Sequence, residues 1–236
     1  MIFRLIRTDF LKIKRKGFWL LVFLGPFGVV ALQMVNYGVR KEYLLAQSDN
    51  DWLYYLHNVH SFTPLALVLG IVILTSLMGS IENETNAWKQ YIALPVLKKR
   101  VYLAKFLVLA ILLFISSVLL MLFSFLYGLS LGLGEEVPYK ELFKYSFYPY
   151  FAALPILSLQ LWLQTTSLNS SLPIVAGVLG VIFTFMSYSL PDWFPWRWPT
   201  LLNQWEKPHL NALMGIVGGG ILYLAGRIHF ARKDVK

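Results

Sequence analysis

Six long apolar runs dominate this 236-residue chain, at about 18–39, 61–80, 103–133, 150–168, 171–190 and 211–228. A hydrocarbon core about 30 Å thick is crossed by roughly 20 residues of helix, so each run has the length and character of a membrane span. The runs are continuously apolar rather than alternating. A β-barrel alternates over about 10 residues, so the backbone groups here must be satisfied inside helices. With 57% hydrophobic and 14% charged residues, the composition excludes an ordinary soluble domain. The expected fold is an all-α polytopic membrane protein, a single transmembrane domain over 1–236 with six transmembrane helices. The chain has no cysteine, which excludes disulfides, thiolate metal sites and thiol nucleophiles.

Orientation follows from lysine and arginine. Arg4, Arg7, Lys12, Lys14, Arg15 and Lys16 precede the first run; Lys89, Lys98, Lys99, Arg100 and Lys105 follow the second; Arg227, Arg232, Lys233 and Lys236 close the chain. These are most of its 21 basic residues, and the positive-inside rule places both termini in the cytoplasm. The net charge of +9 is therefore a topological bias and lipid-headgroup contact, not a nucleic-acid footprint. The first run lacks a small-residue cleavage signal and is expected to be retained as an anchor. Residues 1–17 are too polar to span. Ile2, Ile6, Phe10 and Ile13 recur at helical spacing beside a stripe containing Arg4 and Arg7, the pattern of an amphipathic helix lying in the inner interface. Such a helix either simply anchors the chain or also touches a cytoplasmic subunit.

The hydrophilic segment 81–102 concentrates acids, bases, aromatics and a proline between two spans. If a short helix begins near Asn83, Glu82 and Glu84 sit at its positive amino end; Pro95 stops it, and Lys98, Lys99 and Arg100 lead into the next span. A loop of this length without a function is uncommon in a compact bundle.

Glu82, Asn83 and Glu84, then Asn86 to Lys89, then Ala93 to Val96, the basic trio, and Tyr102 to Lys105 together resemble the segment after the second span of type-2 ABC exporter permeases. The likeness is closest to the bacterial subgroup associated with lantibiotic immunity and bacitracin resistance. The six-span layout and basic amino terminus look like that family as well. The resemblance implies a cytoplasmic coupling helix seated in a groove of a nucleotide-binding subunit, with Glu82, Glu84, Trp88 and Lys89 in that role. It also implies a second permease chain, as a homodimer or a heterodimer, and a bacterial plasma membrane location. No G-x-x-x-x-G-K-[ST] loop occurs, so ATP and magnesium are expected on a partner ATPase and no cofactor on this chain. The implied function is export or membrane extraction of an amphiphile, an antimicrobial peptide or a lipid. The alternatives are a sensing subunit without flux, or an intramembrane hydrolase built from His57, His60 and the pair Glu135 and Glu136. The hydrolase is disfavoured because these residues are poorly arranged along the chain. No catalytic or metal-binding set is assigned.

Three weaker features remain. Gly215 and Gly219 form a G-x-x-x-G that permits close helix approach, and Gly177 and Gly180 suggest the same at a dimer interface. Gln160 and Gln164, one turn apart, are costly to expose to lipid and face protein or a substrate path. Trp193, Trp196 and Trp198 read as an aromatic belt or as part of an outer vestibule on that path.

Overall fold

The computed structural model describes residues 2–84, 97–134, 136–167 and 171–232, apart from the side chains of residues 83 and 84. The described residues form helices and turns without strands. In chain order they are α1 (Ile2–Ile13), α2 (Phe18–Leu45), α3 (Asp51–Glu84), α4 (Lys98–Leu131), α5 (Tyr139–Ala152), α6 (Leu154–Thr166), α7 (Ser171–Phe185), two 3-10 turns (Ser187–Ser189 and Trp198–Thr200) and α8 (Pro208–Arg232). Four helices, α2, α3, α4 and α8, are long and apolar enough to cross a membrane, whereas α7 is a shorter apolar helix.

The helices outrun the apolar sequence. α2 extends to Leu45 and α3 begins at Asp51, so both carry amphipathic turns beyond the runs that predict them. The expected helix start near Asn83 is not present. α3 continues unbroken through Glu84, which puts Glu82 in the last turn of a long helix, at the dipole end that disfavours a carboxylate. Residues 85–96, including Trp88 and Lys89, lie outside the described residues.

The run 150–168 is not one straight helix. It takes in the end of α5 and all of α6, which meet at Ala153 between Pro149 and Pro155. Proline has no N–H, so Pro155 cannot bond the carbonyl four residues back, that of Phe151, and the regular helical ladder is interrupted at the bend, where the Ala153 N–H turns back to the carbonyls of Pro149, Tyr150 and Phe151. α8 packs closest there. A Cβ at Gly215 would overlap the Phe151 carbonyl oxygen and the Ala152 Cα, and one at Gly219 would press on Leu154. The G-x-x-x-G of the last span is thus a helix-packing element within the chain, reinforced by Ser158 Oγ donating to the Gly219 carbonyl at 2.9 Å. Gly177 and Gly180 also serve intrachain contacts, against Val72 and Trp196.

α3 is central and packs on α2, α4, α5, α6 and α7, while α1 lies against α4. The sharp corner from α1 to α2 turns on Gly17, whose φ of 81° suits glycine. Two apolar clusters fill the bundle. One lies toward Ile13, Phe18, Met78, Tyr102 and Phe230, and the other toward Tyr37, Trp52, Tyr55 and Leu142. α2, α7 and α8 turn apolar side chains such as Leu20, Val35, Val175, Ile182, Val217 and Ile221 outward. In a bilayer such a face meets lipid tails.

Candidate functional site

The end of the bundle where α3 stops and α4 begins holds a buried charge cluster. Glu82 and Lys105 are each about 1% exposed, with Lys105 Nζ 2.6 Å from Glu82 Oε1. Lys12, from α1, reaches the same oxygen at 3.2 Å. Asp9, one turn earlier on α1, is also buried. One carboxylate thus ties together three segments: the amino-terminal helix, the end of α3 and the start of α4. It closes the chain at the base of residues 85–97. Burying charges is costly, and only close pairing with additional hydrogen bonds offsets the lost hydration. The two lysines supply that pairing and compensate the unfavourable helix terminus.

Aromatic packing fixes the start of α4 beside this cluster. Tyr102 is fully buried, its ring 5.7 Å from Tyr223 and 5.6 Å from Phe230 of α8. Gly226 leaves room for the Tyr102 hydroxyl. On α1, Ile6, Phe10 and Ile13 pack toward the core while Arg4 and Arg7 are exposed; Phe10 stacks on Trp19 with ring centroids 6.3 Å apart. Of the four residues implied in coupling, Glu82 alone has a described side chain, and it faces inward. Sequence reasoning did not single out Asp9, and it took Lys12 and Lys105 as topological or motif residues, not as partners of Glu82. The available signals were an acid inside the apolar stripe of α1, between Ile6 and Ile13, and a lysine well inside the long apolar helix α4.

The expected substrate-path residues do not converge. Gln160 is buried and donates to the Pro173 carbonyl at 2.6 Å, joining α6 to α7. Gln164 lies across Gly79 of α3. Trp198 donates to the Asp192 carbonyl at 2.7 Å inside its own loop, where Asp192 pairs with Arg197 at 3.2 Å. Trp196 packs on Gly180 and Phe183, and Trp193 is 72% exposed. The loop that carries them is held to α8 by Asn211, which donates to the carbonyls of Trp198 and Leu202. Replacing Gln160 with leucine removes one interhelical hydrogen bond and is expected to lower stability by about 1 kcal/mol, read as a lower melting temperature in detergent.

Among the described residues, no three histidine, aspartate or glutamate side chains come together to hold a metal. No curated protein and no solved structure matches the chain. A family model described as ABC-2 family transporter protein matches residues 5–187, from α1 to the first 3-10 turn, and the chain belongs to that family.

Proposed function

We propose that this chain is the permease subunit of an ABC exporter, in which a separate ATPase subunit engages the segment 81–102 and drives export or extraction of an amphiphile. Family membership supports a multi-pass membrane transport subunit. The observation that carries the coupling assignment is the cluster of Glu82, Lys105 and Lys12. A segment gripped at both ends by a buried ion pair, with α1 bound to the same carboxylate, passes a displacement to three helices at once instead of absorbing it as loop motion. Glu82 acts as a positioning residue, and Trp88 and Lys89 make the ATPase contact. α5 with α6, and α7 with the turn after it, complete six crossings, with both termini in the cytoplasm of a bacterial cell. α1, with Arg4 and Arg7 outward and Phe10 inward, lies in the inner interface. A second permease chain completes the transporter.

Purification from the native membrane in mild detergent should bring an ABC ATPase with the wild-type chain. Trp88→Ala combined with Lys89→Glu should lose the ATPase while the amount and melting temperature of the permease stay unchanged. Equal ATPase recovery with the double variant removes the coupling assignment.

A further inference from the structure

At the end of the bundle opposite Glu82 lies a cavity of about 430 Å³, walled by the start of α3, by α5, by the end of α7 and by the loop before α8. Its polar lining includes His57, His60, Tyr145, Thr184, Ser187 and Thr200, and no aspartate, glutamate, lysine or arginine is among the described residues that line it. His60 is only 6% exposed, its ring 4.9 Å from that of Tyr145. Nε2 is 3.0 Å from the Thr200 carbonyl oxygen, which can only accept, so Nε2 carries the proton. Nδ1 then remains as an acceptor, and it has no hydrogen-bond partner among the described residues.

Phe62 and Leu65 line this cavity and also a second one of about 500 Å³, an apolar groove between α2 and α3. The groove runs down α3 from Phe62 to Leu74, about 18 Å at the helical rise, which matches one leaflet of a hydrocarbon core about 30 Å thick. Its floor is kept open by Gly28 and Gly70, where an added Cβ meets no neighbour. A polar, uncharged compartment that shares a wall with a leaflet-long apolar groove fits a lipid: a head that donates a hydrogen bond above, an acyl chain below. A charged head would find no partner in this lining, since Lys144, the cation lying over the Tyr145 ring, is already paired with Glu141, and an unpaired charge is unfavourable at a buried site.

From this adjacency across Phe62 and Leu65 we infer that the two cavities form one binding site for an uncharged, hydroxyl-bearing lipid. The lipid enters from the leaflet at the His60 end, with its hydroxyl among the polar side chains and its chain between α2 and α3. This deepens the export reading, because it names a neutral lipid as the amphiphile handled, yet the binding itself requires neither ATPase nor ATP.

The test reconstitutes the full chain into phosphatidylcholine nanodiscs doped with diacylglycerol carrying a photoactivatable diazirine on one acyl chain, and maps the adducts by mass spectrometry. Adducts are expected on α2 and α3 along the groove. They should be lost in Gly70→Leu, which puts a side chain into the groove from a position where an added Cβ meets no neighbour. His60→Leu should lower labelling about three- to tenfold, the worth of one or two hydrogen bonds in a membrane protein. A probe with the same chain on phosphatidic acid should label the groove several-fold less. Equal labelling by phosphatidic acid overturns the neutral-head assignment, and labelling unchanged by Gly70→Leu reduces the adducts to lipid at the general protein surface. Chain-to-chain adducts in place of lipid adducts assign the groove to a second copy and overturn the site. If lipid binds as expected but no ATPase associates, the export reading fails and the lipid site stands.

Discussion

Glu82→Leu is expected to be the most damaging single substitution in the charge cluster where α3 ends. It takes from Lys105, about 1% exposed, the carboxylate 2.6 Å from its ammonium. Removing one partner of such a pair costs about 3–5 kcal/mol, whereas replacing both partners by apolar residues is often neutral or stabilising. Melting temperatures in detergent should therefore fall steeply for Glu82→Leu and return near the wild-type value for Glu82→Leu with Lys105→Met. Lys12→Ala should do much less, because its side chain is 25% exposed and surface pairs contribute little. The double variant also separates fold from function. If the cluster transmits motion from the cytoplasmic segment, the doubly apolar protein should be stable and bind its ATPase, yet be impaired in transport. Full transport by that variant makes the ion pair a folding element alone.

Gly215→Leu is expected to disrupt the contact between α8 and the bend at Ala153. The obstruction is backbone, the Phe151 carbonyl oxygen and the Ala152 Cα, so rotamer changes cannot relieve it. Overpacking against side chains typically costs about 1–3 kcal/mol, and a fixed backbone wall puts Gly215→Leu at or above that range. Gly220→Leu is the matched control. An added Cβ there meets no neighbour, and the change should lie within about 0.5 kcal/mol of wild type. Comparable losses at both positions would mean that α8 does not pack on the bend as described.

The apolar runs were legible because hydrocarbon tolerates little else, and they located every long helix. Helix ends were not. The added turns of α3 are amphipathic, with Trp52, Tyr55, Leu56 and Val59 buried beside polar neighbours, a pattern that a search for continuous apolar runs passes over, so α3 begins at Asp51 rather than near residue 61. The bend at Ala153 was foreshadowed by Pro149 and Pro155, but proline is tolerated inside α2 and α3, at Pro26 and Pro64, without ending either helix. What distinguishes the bend is tertiary: α8 packs through Gly215 against the Phe151 carbonyl and the Ala152 Cα. Glu82 was legible as important and misread in environment. Its neighbours Glu84 and Lys89 suggest solvent, whereas its partners Lys105 and Lys12 lie on other helices, at a sequence separation no local pattern reveals. The polar cavity near His60 was equally hidden, since it is assembled from α3, α5, α7 and the loop before α8, and it shares Phe62 and Leu65 with the groove.

The most direct measurement for the central claim is site-specific photocrosslinking in native membranes. Benzoylphenylalanine at position 88, in the segment assigned to ATPase contact, is compared with the same group at position 202, in the loop at the opposite end of the bundle. Position 88 should capture a chain that sequencing shows to carry a G-x-x-x-x-G-K-[ST] phosphate loop, and position 202 should not. Absence of an ATPase adduct from position 88, or equal capture from position 202, contradicts the account.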